Sequence, residues 1–224
     1  DIFSKVVTAP IVAVTGSNGK STVVAMLTEI LREAGKNFGL GGNLDGVNFK
    51  PVLDLLAEDS RDLYVLELSS FQLETTENLG AEVAVLLNRS EDHMDRYENL
   101  TEYHGAKQRI FNGCKQIVVN RDEHHSYPSR KMNVPVWEFG FSRPGVNGLG
   151  VLEEDGDQYL AYQFEKIVSV NELKVFGQHN ISNVLAASAI AMALGIDLKQ
   201  IRAAITEFSG LPHRCQWVRN VSGI

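Results

Sequence analysis

The sequence predicts an α/β protein: a doubly wound, mostly parallel sheet with a phosphate-binding loop, plus a small antiparallel sheet. Three observations support this prediction. Short apolar runs alternate with amphipathic stretches through the first 140 residues, a glycine-rich segment stands between one such run and a helix, and a hairpin pattern follows Gly140. Short continuous apolar runs are typical of parallel strands that are covered on both faces.

Four apolar runs are expected to form buried strands, at residues 11–14, 63–68, 82–87 and 116–119. Between them, residues 21–34 place Val24, Leu27 and Leu31 on one helical stripe that ends at Gly35. Residues 101–111 are expected to form a second helix. This alternation of strands and helices indicates the doubly wound arrangement.

The second part of the chain predicts a small antiparallel sheet packed on the main one. The dipeptide Asp155-Gly156 lies between two β-prone runs within residues 148–164, which is a hairpin pattern. Further elements are expected as follows: strands at 171–176 and 216–221, and helices at 180–194 and 197–208. We expect one domain over residues 1–224, with residues 140–176 as its antiparallel appendage.

Composition excludes several classes of function. The chain has 21 Lys and Arg against 28 Asp and Glu, a formal net charge of −7, which argues against a nucleic-acid partner. The most apolar window, residues 184–196, is too short for a membrane span, which needs about 18 residues. Cys114 and Cys215 form no disulfide framework, and the N-terminus does not resemble a signal peptide, so a cytoplasmic protein is expected.

Residues 15–22, TGSNGKST, predict a phosphate loop between a buried strand and a helix. Glycines let backbone N–H groups turn toward phosphate oxygens, Lys20 can reach the β- and γ-phosphates, and the Ser21 hydroxyl can bind Mg²⁺. The spacing departs from the common motif, since Val14 stands at the usual first-glycine position and Gly16 lies inside the loop. A glycine-rich turn that binds nothing is the alternative interpretation.

Two other strand ends carry candidate site residues. Glu67 ends the second apolar run, where a carboxylate could hold Mg²⁺ opposite the loop, although a solvated glutamate is the simpler interpretation. Residues 88–96 follow the third run and combine His93 with three acids and two arginines. Taken alone, His93 could be an ordinary loop histidine and Lys107 a solvated helix lysine.

Seven segments occur in order along the chain: TGSNGKST (15–22), GGN (41–43), YVLELSSFQLE (64–74), EDHMDRY (91–97), AK (106–107), GQHNISN (177–183) and GLPHR (210–214). With these segments the sequence resembles the Mur ligases. Within that family, LELSSFQLE, DHMDRY and GLPHR are typical of the branch that adds D-glutamate. The match runs from about residue 10 to residue 215.

The resemblance implies an ATP-dependent, ADP-forming acid–D-amino-acid ligase. Such an enzyme joins D-glutamate to UDP-N-acetylmuramoyl-L-alanine through an acyl phosphate, in the cytoplasmic synthesis of peptidoglycan precursors that supports cell shape and division. The implied partners are these small molecules and ATP, with no nucleic acid and no membrane, and we expect a monomer. The chain matches the central ATP-binding domain alone, so we expect it to lack full activity without the family's N-terminal UDP-binding and C-terminal domains.

The resemblance also implies roles for individual residues. Ser21 and Glu67 would hold one Mg²⁺, and His93 and a carbamylated Lys107 would hold a second. The catalytic residues would be Lys20, His93 and Lys107. The residues implied to contact ATP are Gly16, Ser17, Asn18, Gly19, Lys20, Ser21, Thr22, Asn183 and Arg214, with His179 and Asn180 as further candidates. Asn43, Ser69 and His93 would meet the muramoyl-alanine substrate. The stretch at 44–51 is longer than the family's usual connection.

Three alternatives remain open on sequence grounds. A related amide ligase, such as a folylpolyglutamate synthase, would share the loop and differ in substrate. A GTPase-like switch is a second alternative, but Asn88-Arg89-Ser90-Glu91 lacks the Lys and Asp of the guanine-reading motif, so we expect preference for ATP over GTP. A nucleotide-binding scaffold without catalytic activity is the third.

Overall fold

A computed structural model describes residues 1–43, 50–58, 60–90 and 96–211. Within these residues, nine strands form one sheet: β1 Ile11–Thr15, β2 Phe38–Gly42, β3 Leu63–Glu67, β4 Val83–Leu86, β5 Gln116–Asn120, β6 Val136–Phe139, β7 Gly148–Glu154, β8 Asp157–Tyr162 and β9 Glu165–Ser169. Their order is β2-β3-β1-β4-β5-β6-β7-β8-β9. Neighbours are parallel from β2 to β7, and the pairs β7–β8 and β8–β9 are antiparallel.

Helices cover both faces of this sheet. They are α1 Ile2–Val6, α2 Lys20–Glu33, α3 Ser70–Glu74, α4 Leu100–Gln108, α5 Gln178–Ala193 and α6 Leu198–Glu207. Short 3₁₀ turns lie at Val52–Ala57, Arg109–Phe111, His124–Ser126 and Val170–Glu172. Among the described residues, no helix combines the length and apolar character needed to cross a membrane.

Strand β1 shows how the two cores arise, because alternate side chains of a strand point to opposite faces. Val12 and Val14 belong to the core formed with α2, α5 and α6. Ile11 and Ala13 belong to the opposite core, which includes side chains from α1 and α3. Burial on both faces explains why β1 is apolar at four successive positions. The predicted doubly wound fold is therefore confirmed.

The predicted hairpin is also confirmed. β7 and β8 are joined by Asp155 and Gly156, whose φ angles are 54° and 85°. A two-residue type I′ turn needs positive φ at both central positions, which is why Asp-Gly is a strong hairpin pattern. The four strands predicted from apolar runs and the four predicted helices lie where expected, with ends that differ by no more than three residues.

The antiparallel strands differ from the prediction in their placement. They continue the edge of the main sheet and do not pack on it as a second layer, because β7 pairs in parallel with β6 through Glu138–Gly148 and Phe139–Leu149. The predicted strand at 171–176 is wrong. Ser169 and Glu172 form a capping box that satisfies local N–H groups and turns the chain after β9.

Two strands of the parallel sheet, β2 and β6, lie outside every strand predicted. β2 contains three glycines in five residues, so it lacks the apolar pattern that indicates a strand. β6 is partly exposed at three of its four residues, so its pattern is weak as well. The predicted strand at 216–221 lies outside the described residues.

Candidate nucleotide site

The phosphate loop lies at the carboxyl end of β1, in the middle of the parallel strands. The chain leaves β1 through α2 toward β2 on one side of the sheet, while β4 lies on the other side. Ligands of open α/β sheets bind outside the carboxyl ends of the strands at such a switch point. The register aligns Val14 with Glu67 and Thr15 with Leu86, so the ends of β3 and β4 flank the loop.

The loop has the local geometry of an anion site. Gly19 caps α2 with a φ of +81°, a left-handed conformation that favours glycine. The Lys20 side chain folds back over the loop, and its Nζ donates to the carbonyls of Gly16 at 2.9 Å and Ser17 at 3.2 Å. Ser21 and Thr22 follow in the first turn of α2, where helix N–H groups lack intrahelical acceptors. Positive charge and N–H donors therefore meet at one point.

Glu67 lies beside this loop as a buried carboxylate. Glu67 is the last residue of β3, and only 2% of its surface is exposed. The Thr15 hydroxyl donates to the Leu68 carbonyl at 2.7 Å, and Leu68 N–H donates to Val14 at 2.9 Å, so the ends of β1 and β3 are locked together. The interpretation of Glu67 as a solvated strand-end residue is wrong.

Two of the three residues predicted to bind the muramoyl-alanine substrate, Asn43 and Ser69, lie next to Glu67. Asn43 N–H donates to the Glu67 carbonyl at 2.7 Å, directly after Gly42, whose φ is +105°. A Cβ on Gly42 would lie 2.0 Å from the Glu67 carbonyl oxygen, so this close approach requires glycine. Ser69 caps α3 and exchanges hydrogen bonds with Gln72 in a capping box. The ends of β2 and β3 thus place both residues at one edge.

Lys107 comes from α4, 91 positions after Gly16, and lies against the phosphate loop. Only 2% of its surface is exposed, its Nζ donates to the Gly16 carbonyl at 3.0 Å, and the same Nζ lies 4.7 Å from the centroid of the Tyr103 ring. The Tyr103 hydroxyl is 3.1 Å from the Ser17 hydroxyl. The alternative of a solvated helix lysine is therefore wrong, and two lysine nitrogens meet at one loop carbonyl.

Helix α5 closes the other side of the loop. A cavity of about 560 Å³ is lined by residues of the loop, of the β4 end and of α5, among them Asn18, Gly19, Thr22, Asn88, His179 and Asn183. A Cβ on Gly19 would lie 2.5 Å from Asn183 Oδ1, so the two residues touch. Asn180 is buried and donates to the Phe176 carbonyl at 2.9 Å, which orders the start of α5. The exposed His179 packs its ring beside Gly177.

Two predicted site residues, His93 and Arg214, lie outside the described residues, as does most of the 44–51 stretch. Within the described ranges, no group of three or more His, Cys, Asp or Glu side chains could hold a metal ion. Mg²⁺ commonly binds through one or two carboxylates together with phosphate oxygens. The buried Glu67 carboxylate and the Ser21 hydroxyl are hard oxygen ligands that fit such an ion.

Sequence reasoning missed two residues that hold the loop. Asn88 and Ser90, just beyond β4, hydrogen-bond to Ser17 and Asn18. The available signal was their position, since polar residues that directly follow a buried strand lie at the same edge as the loop. The sequence interpretation placed both residues in the candidate segment 88–96 and compared Asn88 with a guanine-reading motif, but gave neither residue a role in holding the loop.

The fold and this site define the chain as an α/β domain of the phosphate-loop class. A family model described as the Mur ligase middle domain matches residues 14–191. The chain belongs to the Mur ligase family, of which it carries the middle domain.

Similar proteins agree with this membership. The chain is 51% identical over all its 224 residues to a protein named UDP-N-acetylmuramoylalanine–D-glutamate ligase from Pseudomonas savastanoi pv. phaseolicola, and 48% identical to one of the same name from Hahella chejuensis. It spans about half of these relatives, covering 49% of each. A solved UDP-N-acetylmuramoyl-L-alanyl-D-glutamate–2,6-diaminopimelate ligase superposes with a TM-score of 0.77 at 26% identity, over 95% of this chain and 49% of that one.

A more distant structure shows the same fold. The MurF ligase from Thermotoga maritima, solved in complex with ADP, has a TM-score of 0.72 at 18% identity, and the match covers 100% of this chain and 55% of that one.

Proposed function

We propose that this chain is the ATP-binding middle domain of an ADP-forming ligase that adds D-glutamate to UDP-N-acetylmuramoyl-L-alanine. The observation that carries the proposal is the 51% identity over the whole chain to a relative named for that reaction. The loop geometry supports it, because Lys20 and Lys107 both reach the Gly16 carbonyl. The chain's net charge of −7 means that attraction for ATP must come from these local groups.

The proposed reaction has two steps. The L-alanine carboxylate attacks the γ-phosphorus of ATP, which forms an acyl phosphate and releases ADP. The D-glutamate amine then attacks the acyl carbon and loses a proton, and inorganic phosphate leaves as the amide forms. Negative charge grows on phosphate oxygens in the first step and on the acyl oxygen in the second. Lys20 and the N–H groups at the start of α2 would stabilise that charge.

Metal ligands follow from the same arrangement. Ser21 and Glu67 would hold one Mg²⁺ at the ATP phosphates, and Mg²⁺ bound there neutralises phosphate charge. His93 and a carbamylated Lys107 would hold a second. Carbamylation adds CO₂ to the lysine amine with loss of a proton, and turns the nitrogen ligand into one with anionic oxygens. Nζ keeps one N–H in that product, so the hydrogen bond from Lys107 to Gly16 can persist.

The remaining roles complete the proposal. Asn183 and Arg214, with the loop residues, would contact ATP, and Asn43 and Ser69 would meet the muramoyl-alanine end of the substrate. The protein would act in the cytoplasm as a monomer on small molecules, without a nucleic-acid partner. The middle domain alone would have little activity, because the curated relatives are about twice as long.

The test uses the full-length protein. ADP release should depend on both UDP-N-acetylmuramoyl-L-alanine and D-glutamate, with ATP preferred to GTP. Release that instead depends on folate and L-glutamate would favour a folylpolyglutamate synthase, and tighter binding of GTP would contradict the ligase proposal.

A matched pair of lysine variants sharpens this test. Lys20→Ala should abolish acyl-phosphate formation, because it removes the positive charge from the loop. Lys36→Ala removes an exposed lysine just beyond the other end of α2 and should leave the rate unchanged. Normal turnover in Lys20→Ala would refute the phosphate role of that residue.

A further inference from the structure

The side chain of Asn88, two residues beyond β4, holds the phosphate loop by its backbone. Its Oδ1 accepts the Asn18 N–H at 2.9 Å, and its Nδ2 donates to the Asn18 carbonyl at 3.0 Å. The Asn88 carbonyl also accepts the Ser17 N–H at 3.2 Å. β1 and β4 pair as far as Thr15 and Leu86, so these contacts continue the parallel ladder past the ends of both strands.

Ser90 adds to the same attachment. Its N–H donates to the Ser17 hydroxyl at 3.0 Å, and its carbonyl accepts from that hydroxyl at 3.1 Å. The Asn18 side-chain amide donates to the Ser90 hydroxyl at 3.1 Å. Both residues between Gly16 and Gly19 are therefore bonded to the segment after β4, and Asn88 supplies the contacts to the Asn18 backbone.

We propose that Asn88 is a positioning residue for nucleotide binding, because it sets the orientation of the peptide group between Asn18 and Gly19. In a trans peptide the carbonyl and the N–H point in opposite directions. With the Asn18 carbonyl held on Asn88 Nδ2, the Gly19 N–H must point away from Asn88. This role rests on the proposed function, since it matters only if the loop binds phosphates.

Gly19 makes this peptide the part of the loop that most needs such a restraint. Its φ is +81°, and glycine adopts positive and negative φ with similar ease. Without the Asn88 amide, rotation of the Asn18–Gly19 peptide would cost little, and the loop would have to be ordered each time a nucleotide binds. A loop that is ordered beforehand binds more tightly because that entropic cost is already met.

The contacts also specify which N–H groups remain for phosphates. The Ser17 and Asn18 N–H groups donate to Asn88, so they are not the phosphate donors of this loop. The donors are then the N–H groups from Gly19 into the first turn of α2, which a helix leaves without internal acceptors. The first half of the loop, Ser17 and Asn18, is therefore bonded to Asn88, and the second half, from Gly19 onward, supplies the N–H donors to phosphate.

The experiment compares Asn88→Ala with Asn112→Ala in the full-length protein. Asn112 is a matched control: it is also half-buried, donates to the Glu77 carbonyl at 2.9 Å and accepts from Arg130 at 3.0 Å. Calorimetry with Mg²⁺ and ADP should show about a tenfold loss of affinity in Asn88→Ala, the size expected for one to two hydrogen bonds. Asn112→Ala should bind ADP like the wild type.

Two further readouts separate positioning from general damage. Adenosine has no phosphate, so its affinity should not change in Asn88→Ala. In turnover, the KM for ATP should rise about tenfold while the KM for D-glutamate stays constant. Asn88→Asp keeps an acceptor for the Asn18 N–H but loses the donor to its carbonyl, and should bind ADP no better than Asn88→Ala.

The outcomes are distinct. A wild-type protein that does not bind ADP would overturn the proposed function, before any variant is compared. Wild-type affinity for ADP in Asn88→Ala, or in Asn88→Asp, would overturn the positioning role. Equal losses for ADP and adenosine would overturn it too. If Asn88→Ala does not fold, the test uses Asn88→Asp and Ser90→Ala instead. Ser90→Ala should lose less affinity for ADP, because it removes only the hydrogen bond from the Asn18 side-chain amide to the Ser90 hydroxyl.

Discussion

Gly19→Ala would test whether the phosphate loop and α5 form one nucleotide site. Gly19 has a φ of +81°, and an added Cβ would lie 2.5 Å from Asn183 Oδ1. Ordinary Cβ contacts lie at 3.4–4 Å, and real Cβ atoms essentially never approach another atom within 3.0 Å. The substitution therefore has two effects: it strains the backbone, and it displaces either the loop or the Asn183 side chain, which also contacts Asn180 at 3.4 Å.

Gly35 separates these two effects, because it lies just beyond the other end of α2. Its φ is +65°, and a Cβ there would meet nothing within 4 Å. A left-handed conformation costs a residue other than glycine about 1–2 kcal/mol. For a chain of this size, that cost lowers the melting temperature by roughly 2–8 °C. Gly35→Ala should show this loss of stability and nothing else.

The assay is calorimetric binding of ADP with Mg²⁺ to both variants, alongside their thermal unfolding. Gly19→Ala should lose stability at least as much as Gly35→Ala, and should bind ADP at least tenfold more weakly, about 1.4 kcal/mol. Gly35→Ala should bind ADP like the wild type. The reasoning is refuted if Gly19→Ala keeps wild-type affinity, since Asn183 and the loop would then not act together on the nucleotide.

Three other predictions concern the buried Lys107 and Cys114 and the half-buried His104. Lys107→Ala should lower turnover roughly a hundredfold or more and be partly rescued by small carboxylate anions, whereas unchanged turnover would return Lys107 to a structural role. Burial raises the pKa of the Cys114 thiol to about 11, so little of the reactive thiolate is present at pH 8. Iodoacetamide at that pH should label Cys114 only after the protein unfolds. Rapid labelling of the native protein would contradict the burial of this thiol. Burial also lowers the pKa of His104 below its ordinary value of 6.5, so the unfolded chain takes up its proton first as the pH falls. The free energy of unfolding should therefore decrease below about pH 6.5, measured by urea titration, and His104→Gln should reduce this dependence.

The sequence predicts elements whose pattern is local. β1 is apolar at residues 11–14 because both of its faces are covered. The glycines and Lys20 that follow, between a strand and a helix, are typical of a phosphate-binding loop. The Asp155-Gly156 turn is equally local, since positive φ at both positions depends on those two residues alone. The glycine-rich β2 shows the limit: its strand conformation depends on pairing with β3, which no local pattern reveals.

The Mur-type phosphate loop and its place between a strand and a helix were thus determined by the sequence alone, because backbone conformation and apolar periodicity are short-range properties. Only the tertiary structure decided that Lys107 is buried on the Gly16 carbonyl, that Glu67 is a buried carboxylate beside the loop, and that Asn88 holds the Asn18 backbone. These contacts join residues 70 to 91 positions apart, or depend on strand register. Parallel pairing brings the carboxyl ends of separate strands to one edge, and burial there removes the water that would otherwise solvate their side chains.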